Sequence, residues 1–297
     1  MADIELRFHK DMLVLTAPVD YALERQGANM AEDAEYLSLM EPETVRDALR
    51  YEVMAGAQCL VTNTEGICPA RLAHKRVEDR VQEFAQAALD HARECKPQHT
   101  LCEIGPCGLP LDPSSEASME QSAAQYERAA AAFGQEGFDA FFLNGMRTAA
   151  DVECAVRGVR RVYQGPVFVS VNLDRDGLFN GFQIDEAVRA MSAADVVGFA
   201  GDAPLDVLCQ AARKASSLTD KPLLMQVGVK AATAAEKRRA SLGAPIPGKP
   251  YALPDALADA ALALRASGVQ FLRAVDQATP ACTGALAVAT MGTDCIR

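Results

Sequence analysis

One unit of sequence recurs along this chain of 297 residues: a helical segment, a turn residue, a short apolar run and then a polar residue. It is clearest at Gly56, where a helical tail ends, residues 59–62 form the apolar run and residues 63–65 open a polar loop. Glycine just after a helix tolerates the positive φ that ends it. The apolar run does not alternate, which is typical of a strand buried on both faces of a parallel sheet.

The same unit can be read eight times. We predict strands at residues 13–15, 59–62, 99–104, 140–143, 167–171, 195–199, 222–225 and 269–274. We predict helices at residues 42–55, 77–94, 118–135, 149–163, 185–193, 204–217, 254–266 and 280–289. This alternation predicts an α/β fold, a single-domain (β/α)8 TIM barrel over residues 1–297. Residues 229–253 show no period, so we expect a long functional loop or a disordered segment there.

Composition excludes several classes of function. The net charge of −11 is unfavourable for binding nucleic acid or an anionic membrane. The N-terminal residues have no signal-peptide layout, and no apolar run reaches the length of a membrane span. The nine cysteines, an odd number, indicate reduced thiols in a cytoplasmic protein. We therefore expect a cytoplasmic protein that binds a small molecule, and a homo-oligomer is left open.

Function in such a barrel resides in the residues at the carboxyl ends of the strands. No lysine ends a strand, no histidine pair suggests a binuclear metal centre, and no glycine-rich phosphate loop follows the last two strands. No catalytic residue can be assigned. As substrate-binding residues we predict Asn63, Glu65, Glu103, Asn144, Asn172, Asp202, Arg273 and Asp276.

Several short motifs lie at these strand ends. They are Ala-Gly-Ala at 55–57, Thr-Asn-Thr at 62–64, Ile-Gly-Pro at 104–106, Pro-Val-Phe-Val-Ser at 166–170 with Asp174 and Gly177, and Ala-Thr-Pro at 278–280. Their order and spacing, over nearly the whole chain, resemble those of the homocysteine S-methyltransferases. The resemblance implies a TIM barrel that methylates a thiol bound through zinc at the barrel mouth.

The chain departs from that family at the metal. The family's three zinc-binding cysteines correspond to Gly201, Val275 and Asp276, and a glutamate that binds the substrate amine corresponds to Asn144. The opening motif has also changed, to Thr-Ala-Pro-Val-Asp at 16–20. We therefore predict no metal site. A free thiol is only about 3% ionised at pH 7, so zinc-dependent homocysteine methylation is not expected.

The leading hypothesis is a methyltransferase-like barrel for a small zwitterionic or methylated ligand. The carboxylates at the strand ends favour a cation, and we expect Tyr21 and Phe199 to add cation–π contacts. Arg273 is expected to point into the mouth, where Asp276, Glu65 or Glu103 would neutralise it, and to hold the ligand's carboxylate. The methyl acceptor would be a folate or a corrinoid on a separate protein, because the chain contains no cobalamin-binding domain.

Two alternatives remain open from the sequence. The first is a non-catalytic binding or assembly protein that keeps the scaffold of such an enzyme. The second is a homocysteine S-methyltransferase with a relocated metal site at Cys68, Cys107 and Cys282, which fall near the carboxyl face. Buried free cysteine is the more common fate of such residues.

Overall fold

Eight parallel strands form the centre of the protein. The computed structural model describes residues 3–28, 35–242 and 246–296. The strands are β1 Leu13–Val14, β2 Cys59–Val61, β3 His99–Ile104, β4 Ala140–Met146, β5 Val167–Asn172, β6 Val196–Gly201, β7 Leu223–Val229 and β8 Val269–Asp276. The spatial order is β1-β8-β7-β6-β5-β4-β3-β2. A parallel bridge between Leu15 and Cys59 joins β1 to β2, so the predicted TIM barrel is confirmed.

Twelve α-helices in the described part of the chain surround the strands. They are α1 Asp20–Glu24, α2 Leu37–Met40, α3 Pro42–Met54, α4 Pro69–Leu72, α5 Val81–Cys95, α6 Glu116–Phe133, α7 Ala149–Arg160, α8 Ile184–Ala190, α9 Leu205–Ser216, α10 Ala234–Ala240, α11 Pro254–Arg265 and α12 Pro280–Thr290. Two 3-10 segments, Ile4–Arg7 and Ala73–Lys75, complete the secondary structure. No helix in residues 3–28, 35–242 and 246–296 is both long and apolar enough to cross a membrane.

The expectation of a structureless segment at 229–253 was wrong in part, because α10 lies within it. The Thr233 hydroxyl accepts a hydrogen bond from the Glu236 amide, and the Glu236 carboxylate accepts one from the Thr233 amide. This capping box can be read from the sequence as Thr-x-x-Glu, and it starts a helix that has no apolar face. Three short helices, α1, α2 and α4, were also missed because each is too brief to show a period.

The barrel interior is filled from its amino-terminal end. Phe168 and Phe271 pack edge to face with ring centroids 5.0 Å apart. Phe8, which follows the first 3-10 segment, packs against both rings, and Ile4 is fully buried. Since apolar side chains of the described residues occupy this half of the barrel, the space left for a ligand inside the barrel lies at the carboxyl ends of the strands.

Candidate functional site: a cavity at the carboxyl ends of the strands

A cavity of about 870 Å³ opens at the carboxyl ends of the strands. Its volume falls in the range of cofactor and substrate sites. All eight residues that the sequence predicted as substrate-binding line it: Asn63, Glu65, Glu103, Asn144, Asn172, Asp202, Arg273 and Asp276. Their convergence follows from the parallel strands, which bring every carboxyl end to one rim. Contact with a ligand stays a prediction for each of them.

Arg273 points into the barrel and pairs with Glu103. Both side chains are buried, with 1% and 8% exposure. Arg273 Nη1 donates to Glu103 Oε1 at 3.2 Å and Nη2 donates to Oε2 at 3.3 Å. The sequence left three carboxylates as partners, and the structure selects Glu103. Because both charges are removed from water, loss of either side chain would leave the other charge buried and unpaired, which is strongly destabilising.

Further polar groups complete what we call the floor network: Arg273, Glu103, Asn144, Gln226 and Ser170. Asn144 donates to Glu103 Oε1 at 2.5 Å, and Gln226 donates to Asn144 at 2.7 Å and to the Ser170 hydroxyl at 2.8 Å. Arg273 also donates to Gln226 at 3.2 Å and to the Thr16 carbonyl at 2.9 Å. A guanidinium has five N–H donors, so a single one is left for a ligand.

The Thr-Asn-Thr motif after β2 fixes the position of Glu103. The Glu103 amide donates to the Thr62 hydroxyl at 3.0 Å, and the Thr64 hydroxyl donates to the Glu103 carbonyl at 2.7 Å. The two hydroxyl oxygens are themselves 2.6 Å apart. These buried bonds hold the end of β3 against the end of β2, so the motif orients the carboxylate beneath the cavity.

Asp20 forms part of the cavity wall next to these carboxylates. Its burial, followed by repulsion from Glu103 and Glu65, raises the pKa of Asp20 to about 6, and Arg273 only partly opposes this. Asp20 is thus an acid that changes its charge near neutral pH. The sequence placed Asp20 at a strand end but did not select it as a site residue. The partial burial that raises its pKa has no signature in the sequence.

Glu65 packs directly against Gly105 at the cavity wall. A Cβ built on Gly105 would lie 2.6 Å from Glu65 Cγ, so only glycine allows this approach. The Gly105 amide donates to the Glu65 carbonyl at 2.7 Å. Arg71, on α4, donates to Glu65 Oε1 at 3.0 Å in a pair that is partly exposed. The Ile-Gly-Pro motif therefore serves a packing role at this wall.

The sequence of the chain matches that of a known protein family. The sequence model of the family described as homocysteine S-methyltransferase matches residues 13–241. The chain belongs to the homocysteine S-methyltransferase family. No curated protein sequence matches it.

Solved structures show the same fold as this homocysteine S-methyltransferase family member. The homocysteine methyltransferase MmuM from Escherichia coli is similar in its oxidised form, with a TM-score of 0.73 and 18% identity, and in its metallated form, with 0.71 and 17%. Each alignment covers 94% of this chain and 96% of that protein. At this identity the likeness supports the fold alone.

The positions of the family's zinc cysteines lie at the cavity in this member. Gly201 ends β6, and Val275 and Asp276 end β8. Near them Lys230 forms an ion pair with Asp202, and Arg175 lies 3.3 Å from the same carboxylate; these cations lower the pKa of Asp202. None of the described residues that line the cavity is a cysteine, and Asp202 is already neutralised by Lys230. The residues present do not fit the three-thiolate zinc site that the homocysteine S-methyltransferase family implies.

The relocated metal site finds no support in the geometry of this family member. Cys68, Cys107 and Cys282 are buried, and none of them lines the cavity. Burial raises the pKa of Cys68 far above its ordinary value. In the part of the chain that the structure describes, no three His, Cys, Asp or Glu residues are grouped to hold a metal.

The expected aromatic contacts were wrong in this homocysteine S-methyltransferase family member. Phe199 is buried in the apolar layer between sheet and helices, and Tyr21 lies on α1 against Arg25. Asp174, one of the motif residues after β5, does not line the cavity and accepts backbone hydrogen bonds within its own turn. Only the Phe142 ring, 5.5 Å from Arg273 Cζ, makes a cation–π contact at the floor network. Among the described residues no Phe, Tyr or Trp side chain lines the cavity, and His74 is the one aromatic ring there.

Proposed function

We propose that the chain is a methyltransferase-type barrel that binds a small zwitterionic or methylated ligand in this cavity without a zinc–thiolate centre. The observation that carries the proposal is the grouping of Asp20, Glu65 and Glu103, whose mutual repulsion contributes to the raised pKa of Asp20. An ammonium or sulfonium group bound beside them would relieve that repulsion. The family membership supports methyl transfer as the reaction class.

The cation would be recognised mainly by carboxylates, since the described lining of the cavity contains no Phe, Tyr or Trp side chain and His74 is its one aromatic ring. Cages of aromatic rings favour quaternary ammonium groups, whereas carboxylates also accept hydrogen bonds from N–H donors. This difference favours a ligand with a primary ammonium over a betaine. Glu103, held by Arg273 and Asn144, would accept that ammonium group.

Asp20 is the side chain best suited to move a proton in this reaction. A general base acts best when its pKa is near the operating pH, and the pKa of Asp20 is about 6. The methyl group would pass from the onium centre of the donor to the nucleophile of the acceptor. The donor would keep the bonding electron pair. A folate would serve as acceptor and would give up its N–H proton to Asp20 as the N–C bond forms; a corrinoid on a separate protein would instead accept the methyl group with its own electron pair, and no proton would be released.

A non-catalytic binding protein is the second candidate. A scaffold that has lost its function would leave the carboxylates at the rim solvated and unpaired. Glu103 is instead buried and hydrogen-bonded on both oxygens, and the pKa of Asp20 is raised by burial and by two neighbouring carboxylates. Such perturbation is typical of functional sites. It favours the methyltransferase proposal.

Calorimetric titration at pH 7.5 with a sulfonium amino acid, glycine betaine and homocysteine tests the proposal. We expect Asp20→Asn to weaken binding of the sulfonium amino acid by about tenfold or more, the equivalent of ~1.4 kcal/mol. Glu78→Gln is the matched control, because Glu78 is an exposed carboxylate outside the cavity, and its affinity should stay within about twofold. Full affinity in Asp20→Asn, or equal binding of an uncharged analogue, would contradict the proposal.

The metal content of the purified protein gives an independent test. We expect far less than one zinc per chain, since glycine, valine and aspartate at positions 201, 275 and 276 cannot replace three thiolates. Elemental analysis after dialysis against micromolar zinc measures it. Retention of about one zinc per chain would overturn this part of the proposal.

A further inference from the structure

Among the described residues, four lysine and arginine side chains line the cavity, and they fall into two classes. Arg273 is paired with Glu103, and Arg71 is paired with Glu65. Lys75 and Arg147 line the same cavity and make no hydrogen bond or ion pair with the described residues. The two unpaired cations therefore project positive charge into a concave site that also contains carboxylates.

The two unpaired cations lie in one sector of the barrel. Lys75 ends the 3-10 segment that follows β2 and α4, and it is half-buried. Arg147 comes directly after β4. Pro106, after the intervening β3, lines the same cavity.

Two carboxylates line this sector as well, but Glu65 is paired with Arg71 and Glu35 accepts a hydrogen bond from the Gly66 amide. Asp202, just after β6, and Asp276, at the end of β8, lie on the opposite side of the barrel.

Because Arg273 is already bonded within the floor network, a zwitterionic ligand would need a second cation to bind its anionic group. Arg273 has a single N–H donor left, so it cannot hold a ligand carboxylate with two hydrogen bonds unless Glu103 is displaced. A ligand whose cation lies beside Asp20 and Glu103 needs another partner for its anion. Unpaired cations in a concave wall concentrate anions because the low-dielectric surroundings focus their field.

We propose that Lys75 and Arg147 form an anion subsite, which takes a carboxylate or phosphate group of the methyl donor or acceptor. The subsite deepens the proposed function and rests on it for the identity of the cationic end. The ligand, or the pair of ligands, would thus be bipolar, with its cation beside Asp20 and its anion over the β2–β4 sector. Arg147 presents a planar fork suited to either anion, and Lys75 adds a point charge.

Two anionic probes that carry no cationic group test the anion subsite without involving the carboxylates of the cation site. Inorganic pyrophosphate represents a phosphate ligand, and N-acetylated triglutamate represents a polycarboxylate. Binding is measured by calorimetric titration at low ionic strength, because salt screens exposed charges. The doubly substituted Lys75→Gln/Arg147→Gln protein is compared with Lys237→Gln/Arg238→Gln. The control removes the same two charges from exposed positions on α10 outside the cavity.

We expect at least one probe to bind the wild type, with affinity reduced about tenfold or more in Lys75→Gln/Arg147→Gln and within about twofold in the control. The probe that binds identifies the anion as phosphate or carboxylate. Equal loss in both variants would show that the attraction is non-specific, and the absence of binding by either probe would likewise overturn the subsite. Neither probe uses Asp20, so failure here leaves the sulfonium titration to judge the proposed function separately.

Discussion

Replacing Arg273 by alanine is expected to lower the free energy of unfolding by about 3–5 kcal/mol, because the change leaves the Glu103 carboxylate buried without its counter-charge. Urea denaturation at pH 7.5 measures the loss. Arg71→Ala is the matched control, since the Arg71–Glu65 pair has 38% and 55% exposure. Its loss should be about 1 kcal/mol or less.

A double substitution separates the pair from the rest of the floor network. Arg273→Met/Glu103→Leu removes both charges and should be less destabilised than Arg273→Ala, because no buried charge remains unpaired. If Arg273→Ala costs no more than Arg71→Ala, the Arg273–Glu103 pair is hydrated and does not organise the cavity floor.

Asp20→Asn is expected to stabilise the protein by on the order of 2–3 kcal/mol at pH 7–8 and to give no gain at pH 4. The pKa of Asp20 is about 6 in the folded protein and 3.8 ordinarily, so the folded state binds the proton more tightly. Below pH 3.8 both states are protonated and the carboxyl has no effect on stability. The penalty grows as pH rises to 6 and is complete above it, at about 1.4 kcal/mol for each pH unit between the two values.

Urea denaturation of both proteins at each pH from 4 to 8 tests this dependence. The difference in free energy of unfolding should rise between pH 4 and 6 and then level off. Glu78→Gln should show no such rise, because its carboxylate is exposed. A difference for Asp20→Asn that is constant over this range would mean that the Asp20 carboxyl ionises normally.

The fold could be predicted from the sequence because its elements leave strong local signals. Runs of apolar residues with polar ends gave all eight strands, and α5 buries Val81, Phe84, Ala85 and Ala88 as its helical period indicated. The misses are segments without a period. Helix α10 is stabilised by its capping box and has no buried residue, so a search for apolar spacing could not find it.

The candidate site was predictable only as a set of positions. In a strand that is apolar on both faces, the alternation of side chains does not show which residues point into the barrel. For this reason the sequence could not show that Phe199 faces the helices. The partner of Arg273 depended on distances across the barrel, between β3 and β8. Lys75 and Arg147 were missed because the prediction followed carboxylates and amides at strand ends.

The floor network also bears on how such a chain could change over evolutionary time. Its members lie on β3, β4, β5, β7 and β8 and are joined by hydrogen bonds across these strands. The effect of a substitution at one of these positions therefore depends on the residues at the others. Replacing the arginine at position 273 alone would leave Glu103 buried without its counter-charge, at a cost of about 3–5 kcal/mol out of the roughly 5–15 kcal/mol by which ordinary proteins are folded. Cysteines introduced at 275 and 276 would lie on the same strand as the Arg273 guanidinium. Building a thiolate site into this cavity would therefore require several substitutions at once, because the members of the floor network depend on one another.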